Sequence, residues 1–392
     1  MMGLLRRSLP LLAVAVLAAS APAANCCPFC SMSGQTLTGQ VDQATLVLYG
    51  SLTNAKDTSK DGDMSEGTTD LIIESVIKKH PIIDGMKKVT IPRFVPPPTE
   101  GKYKYVVFCD VFKGKVDYYA GMAVKADSDL DGYLKGALKV KDEKIDKRLR
   151  FFFDYLDNED PEISNDAYKE FGNADYKDYA PMAANLPAER IAKWLERGSK
   201  TAPFRYGLYA SMLGHCGKKD ADKYGKLLRE ILDDPDRRSG SGMDGVLAGY
   251  ILLKPEDGWK YTKDLLKDSK KEFMLRYAAL RAVRFFHESR PDVIKRKDLV
   301  EGMAVLLEQS DIADLAVEDL RKWQCWDMAD KVLALRGTKA YETPIVRRSV
   351  LRFALSCKDN KACRDHVAAE RAKDAEKVSE AEELLELEKT GK

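Results

Sequence analysis

The sequence predicts an α+β chain in two parts, a small β-barrel followed by an α-solenoid, behind an export leader. Three observations carry this. Residues 45–125 are runs rich in Val, Ile, Tyr and Thr, broken by Gly, Pro and polar segments, which is the texture of short strands. Beyond residue 148, apolar residues recur every three or four positions, as in amphipathic helices. The chain begins with Arg6-Arg7, an apolar run Leu11–Ala19 and then Ala21-Pro22-Ala23, the order of a cleavable signal peptide.

Residues 1–23 form that leader. Its apolar run falls short of the roughly 20 residues that span a bilayer, and no later segment approaches that length. The mature chain is therefore expected to be periplasmic or secreted, with no transmembrane segment after cleavage. The residues around Arg6-Arg7 fit a twin-arginine signal poorly, so ordinary secretion is expected. The full chain carries 64 basic and 62 acidic residues. Loss of Arg6 and Arg7 leaves the two counts equal, so no bulk charge draws the chain to nucleic acid or an anionic membrane, and nucleic acid is not an expected partner.

Residues 24–138 form the expected β domain. "TLVLYGSLT", "TDLIIESVIKK", "KVTIPRFV", "YKYVVFCDVF" and "VDYYAGMAV" are its strands. Tyr105, Val107, Cys109 and Val111 share one face of the fourth, and Val106, Phe108 and Phe112 share the other. Both faces are largely apolar, so this strand is central. Lys113-Gly114-Lys115 separates the last two runs at hairpin spacing, and a short helix follows near Leu130–Leu138. Five strands and one helix fit a small closed or partly open barrel. The charged stretch 139–147 reads as a linker, 148–363 as helical repeats, and 364–392 as a charged terminal helix or tail. In 272–286, Leu275, Ala278, Ala279, Ala282 and Phe286 form an apolar stripe, with Arg276, Arg281 and Arg284 on the opposite side. In 344–357, Val346, Val350, Phe353 and Cys357 form the stripe, Arg348 and Arg352 stand four apart, and Pro344 suits a first helical turn. Successive helix pairs match an α-solenoid better than a bundle. The arginine stripes could line an anion-binding groove, although solvated helix faces commonly look the same.

The chemistry that stands out is the cluster Cys26, Cys27 and Cys30 in "NCCPFC". C-P-x-C is a thiol-redox pattern, but in thioredoxin-like folds a strand precedes and orients it, and only Ala24 and Asn25 of the mature chain precede Cys26. Asn25 breaks a lipobox. Ser31 in place of histidine after Cys30 rules out a c-type haem. A metal site needs about four ligands, and the cluster offers three. The plainer expectation is a staple from one arm cysteine to Cys109 on the central strand, closing a loop of about 80 residues in an oxidising compartment. Cys357 and Cys363 form a second disulfide candidate. Cys216 and Cys325 read as buried thiols.

"CPFCSMSGQTLTGQVDQATLVLYGSL", "GTTDLIIESVIKKHPIIDGMKKVTIPRF" and "YVVFCDVFKGKVDYYAG" resemble the front half of a family of exported planctomycete proteins, a resemblance that extends into the helical half and brings no activity with it. Residues 26–138 are also similar, more distantly, to netrin-like and TIMP-like domains, which implies an OB-like barrel. The helical half is similar to HEAT-like repeats. TIMP-type inhibition uses the amino group of an N-terminal cysteine on the protease zinc. Here the expected mature chain starts at Ala24, two residues ahead of Cys26, which departs from that pattern.

Other motifs fall short. Asp127, Asp129, Asp131 and Gly132 mimic the start of a calcium loop, but Leu138 stands at its twelfth position; Asp57, Ser59, Asp61 and Asp63 do so too, with Thr68 at the twelfth. His215 and Cys216 are adjacent on a helix and point about 100° apart. Cys363 and His366, even with Cys357, do not complete a ligand set. No nucleotide, dinucleotide or hydrolase fingerprint is present, so no cofactor is expected. The function expected is exported, non-catalytic binding or scaffolding toward another exported protein or macromolecule. The alternative is a thiol-disulfide oxidoreductase or metal-binding protein using Cys26, Cys27 and Cys30. N-terminal sequencing of the exported protein should begin at Ala24; a chain retaining Arg6-Arg7 would refute the leader.

Overall fold

The computed structural model describes residues 27–59, 66–96, 98, 100–197, 203–238 and 241–390. The leader, Cys26 and most of the 57–63 motif lie outside them. Five strands come first: β1 (Leu46–Asp57), β2 (Gly67–Lys78), β3 (Lys88–Ile91), β4 (Tyr103–Phe112) and β5 (Lys115–Lys125). They form one antiparallel sheet in the order β3-β2-β1-β4-β5. The β4–β5 hairpin turns on Lys113 (φ 50°) and Gly114 (φ 73°), the paired positive angles that two-residue hairpins favour. β1 pairs with β2 over most of its length but with β4 only through Leu46–Gly50. At Gly50 the strands approach so closely that a Cβ would lie 1.9 Å from the Ile72 carbonyl oxygen, so no other residue fits.

The sheet is open: of the expected closed or partly open barrel, the closed form is excluded. Among the described residues no ladder joins β3 to β5. The reason lies at the end of β3: Pro92 follows Ile91 directly, with Pro96 and Pro98 beyond it, and proline cannot donate to a ladder. One face of the sheet has its own core, with Leu46, Leu48, Leu71, Val89, Ile91, Val107 and Cys109 buried together. The other face, with Val47, Tyr49, Val106 and Phe108, joins a second core that continues through the helices as far as Cys363.

From Leu130 the chain is helical. The expected helix after the sheet is α2 (Leu130–Val140), following the short N-terminal α1 (Leu37–Gln43). The expected linker 139–147 is the end of α2, a turn and the start of α3 (Ile145–Phe153), and both helices belong to the shared core. Then come α4 (Pro161–Gly172) and further helices to Thr390. Helix Met243–Leu253 packs against Tyr206–Cys216 on one side and Phe273–Ser289 on another, and every residue of Met243–Leu253 is buried. Glycines permit this: a Cβ on Gly245 would lie 2.4 Å from the Cα of Gly207. The charged tail forms helices Lys361–Lys373 and Ala375–Thr390, the latter seating Val378 and Ala381 on Leu351. No helix among the described residues is long and apolar enough to cross a membrane.

The first described residues, 27–36, lie on the helices rather than on the sheet that follows them. Phe29 meets Phe285 edge-to-face with ring centroids 4.6 Å apart. The Ser31 amide donates to Tyr168 Oη at 3.1 Å, and the Arg281 guanidinium donates to the Pro28 carbonyl at 2.8 Å. Asn173 both accepts from the Gly34 amide and donates to its carbonyl, each at 2.8 Å. Asp166 of α4 then accepts from the Leu37 amide, from the Thr38 amide at 3.4 Å and from Tyr133 Oη at 2.8 Å. One carboxylate thus ties α1, α2 and α4.

Burial raises the Asp166 pKa to about 6 despite those donors. Between that value and the ordinary aspartate value near 4, the folded protein holds a proton that the unfolded chain lacks, so this group adds stability as pH falls. His215, buried and bonded to Tyr176 Oη at 2.9 Å, is lowered by burial to about 4. From the ordinary histidine range down to that value the unfolded chain holds the extra proton, so this group costs stability as pH falls. Replacing Asp166 with alanine should lower stability by about 3 kcal/mol, because two amides and a hydroxyl lose a buried acceptor. Asp166→Asn should cost less at pH 7 and more at pH 4 relative to wild type. Urea unfolding at the two pH values checks both; a difference independent of pH would refute the assignment.

Candidate functional site

The cysteines do not converge. Cys27 and Cys30 form a disulfide with Cα atoms 5.4 Å apart, closing a turn in which the Cys30 amide donates to the Cys27 carbonyl. Cys27 is buried and Cys30 half-buried. The expected staple to Cys109 is not made: Cys109 is a free, buried thiol. The strand's alternation explains why. Phe108 faces the helices that carry the arm, and Cys109 faces the sheet's own core. Burial, with Asp110 and Asp117 nearby, pushes the Cys109 thiol up to about 12.

Cys216 hydrogen-bonds the Met212 carbonyl and burial pushes it also to about 12, while its neighbour His215 turns to Tyr176. Cys325 lies 3.4 Å from the Arg296 guanidinium, and burial raises it. The expected Cys357–Cys363 disulfide is not made: both are buried free thiols, with Cys363 pushed up to about 12 by burial. Thiols held this high are poor nucleophiles at neutral pH.

The expected arginine stripes do not form one open groove: Arg276 is buried, Arg284 and Arg352 are half-buried, and Arg281 and Arg348 are exposed. Arg276, placed by its spacing on a solvent face, is buried and bonds Gln309 at 2.7 Å and Asp311 at 2.5 Å. Arg281 pairs with buried Asp244 at 2.9 Å and Arg284 with Asp319 at 2.7 Å. Arg352 pairs with Glu318 at 2.9 Å and with Glu388. Of the acidic motif, Asp129 precedes α2 and Asp131 binds Lys135 at 3.0 Å and Ser75 at 2.8 Å. Among the described residues no group of three His, Cys, Asp or Glu could hold a metal ion.

The feature that the sequence reading missed is a groove on the open side of the sheet. Two adjoining cavities, of about 210 and 490 Å³, share Leu52, Val95 and Tyr105. The smaller, lined by Tyr118–Ala123, lies beside a β-bulge. Cys109 pairs with Tyr118 and Phe108 with Ala120, so Tyr119 is an extra residue. Paired residues share a face, and the bulge therefore shifts the alternation of β5: Val116 and Tyr118 face the inner core before it, and Gly121 and Ala123, opposite Val107 and Tyr105, face it after. Small residues stand where large ones would fill the core, and space opens beneath Ile91. A Cβ on Gly121 would meet nothing nearer than 3.4 Å.

The charged residues bordering the two cavities are Arg93, Lys102 and Lys104, and no carboxylate lines either among the described residues. Lys104 is held by Glu74 at 2.5 Å and by Ser51 at 2.9 Å. Arg93 and Lys102 are exposed. Burial pushes Tyr118 up to about 12, so its hydroxyl remains protonated. A sequence signal for the groove exists in "YYAGMAV" (118–124), where small residues interrupt the strand's large ones.

Non-reducing peptide mapping should link Cys27 to Cys30, and Cys109 and Cys216 should be alkylated only after unfolding; a Cys109 disulfide or rapid native alkylation of Cys109 would refute the placement. No family model, curated protein or solved structure matches the chain.

Proposed function

We propose that this chain is an exported, non-catalytic binding protein that engages another exported macromolecule through the open side of its sheet. The observation that carries this is the groove between β3 and β5, an apolar concavity beside an unpaired strand edge, with cationic groups at its rim. Pockets that hold ligands combine these traits: concavity, apolar walls and a few convergent polar groups. The five antiparallel strands, read as an OB-like, netrin-like barrel left open on one side, place the groove where the barrel's wall is missing. The helices, read as a HEAT-like solenoid, supply a rigid base packed neighbour on neighbour.

The alternative, thiol-disulfide or metal chemistry at Cys26, Cys27 and Cys30, draws support from the Cys27–Cys30 bridge. Against it stands the burial of Cys27 and the packing of Phe29 between them into the helices.

A photo-crosslinking residue at half-exposed Tyr119, in the cells that export the protein, tests the proposal. It should give one dominant adduct, identifiable by mass spectrometry, which the same residue at exposed Lys226 does not give. No adduct, or the same adducts from both positions, would overturn it.

A further inference from the structure

β5 lies at an edge of the sheet, paired with β4 on one side and, among the described residues, with no strand on the other. Soluble proteins guard such edges with charges, prolines or a covering segment. β5 carries charge at Lys115, Asp117 and Lys125, but Tyr118–Val124 is seven uncharged residues in a row. This unguarded stretch is the wall of the groove. Opposite it, β3 ends at Ile91 and the chain leaves through Pro92. The gap is thus bounded by one strand edge that no other strand among the described residues pairs with, and by a second strand too short to reach it.

An extended polypeptide suits such a space. It would take the ladder positions of β5 at the ordinary spacing of about 4.8 Å. Its side chains alternate between faces, so every second one would enter the cavity over Gly121 and Ala123. The rim fixes the charge of the occupant: Arg93 and Lys102 have no ion-pair partner among the described residues, and no carboxylate lines the groove. Acidic residues in the segment would supply what is missing.

We infer that the groove receives an extended, acidic segment of the partner polypeptide, which adds to β5 as a further strand and buries alternate apolar side chains over Gly121 and Ala123. This rests on the binding reading above and names the partner's chemistry. Strand addition explains together the open seam, the uncharged edge and the small residues behind the bulge: main-chain hydrogen bonds give affinity, and a pocket for alternate side chains gives specificity.

The test is selection of a phage-displayed random peptide library on the full mature protein. Enriched peptides should alternate β-branched or aromatic residues with Asp or Glu. A synthetic copy should lose at least about tenfold in affinity when alternate backbone amides along one edge are N-methylated, because side chains are kept and ladder donors are lost. Gly121→Leu should weaken it by at least about tenfold by filling the pocket. Since that variant could disturb the sheet, the N-methylated peptide on wild-type protein is the independent arm. The double variant Arg93→Gln, Lys102→Gln should weaken binding and flatten its salt dependence. No enrichment, indifference to N-methylation, enrichment of basic peptides, or self-association of the protein through β5 would each overturn the inference. An adduct from Tyr119 without peptide enrichment would leave the binding reading standing and this inference refuted. Peptide binding without an adduct would refute the exported partner, and with it this inference, while leaving the strand-accepting chemistry of the groove.

Discussion

The architecture depends on a single buried carboxylate. Asp166 of α4 collects the Leu37 and Thr38 amides of α1 and the Tyr133 hydroxyl of α2. The first of these helices precedes the sheet and the second follows it, so the carboxylate holds both ends of the β region against the helical half. A buried aspartate is costly unless its oxygens are fully partnered, and here its partners come from segments 129 and 33 residues away in sequence. The chain cannot place α1 elsewhere without leaving that charge unpaired. The arm 27–36 is therefore directed onto the helices, where the Cys27–Cys30 turn presents Phe29 to Phe285. The raised pKa of Asp166 is the residual strain of this arrangement, since desolvation outweighs three donors.

Fixing one face of the sheet against helices leaves the other to define the site. The helix-facing residues Val47, Tyr49, Val106 and Phe108 are large, and they set the sheet's position. On the free face, β1 through β4 contribute Leu46, Leu48, Leu71, Val89 and Val107. Past the Tyr119 bulge the small residues Gly121 and Ala123 stand on this face, and there it opens. A bulge that changes which side chains face a cavity is a recurrent device near functional sites. In this chain it leaves a groove on an otherwise filled sheet face without any change in strand order.

Much of the local structure was legible. The alternation along 105–111 placed Val107 and Cys109 on one face and Val106 and Phe108 on the other, as found. Lys113-Gly114 marked the hairpin, and Pro344 the first turn of helix Pro344–Ser356. What could not be read were facts of register and long-range packing. The bulge at Tyr119 exists only relative to β4. The open seam depends on how far β3 reaches before Pro92. The arm's destination turns on contacts with Tyr168, Asn173 and Arg281, more than 130 residues away. The Cys109 expectation failed for the same reason: spacing along the chain says nothing of which face of the sheet the arm crosses. Arg276 was misread because a stripe of arginines looks alike whether it meets water or, as here, Gln309 and Asp311.

The distribution of satisfied charge then separates base from site. On the helices the arginines answer carboxylates across neighbouring elements: Arg276 with Asp311, Arg281 with Asp244, Arg284 with Asp319, Arg321 and Arg352 with Glu318 and Glu388. Several of these partners are buried, and a buried pair loses heavily if either member is removed. Such links make successive helices move as a block and leave little net field on that surface. At the groove the balance differs: Lys104 is answered by Glu74, but Arg93 and Lys102 project at the rim of an apolar concavity without a counter-charge among the described residues. In a chain whose formal net charge is only +2, a local excess of this kind beside an edge strand with no second strand partner among the described residues concentrates both attraction and hydrogen-bonding capacity in one place. Under the proposed function, the helical half is the rigid support and recognition belongs to the sheet.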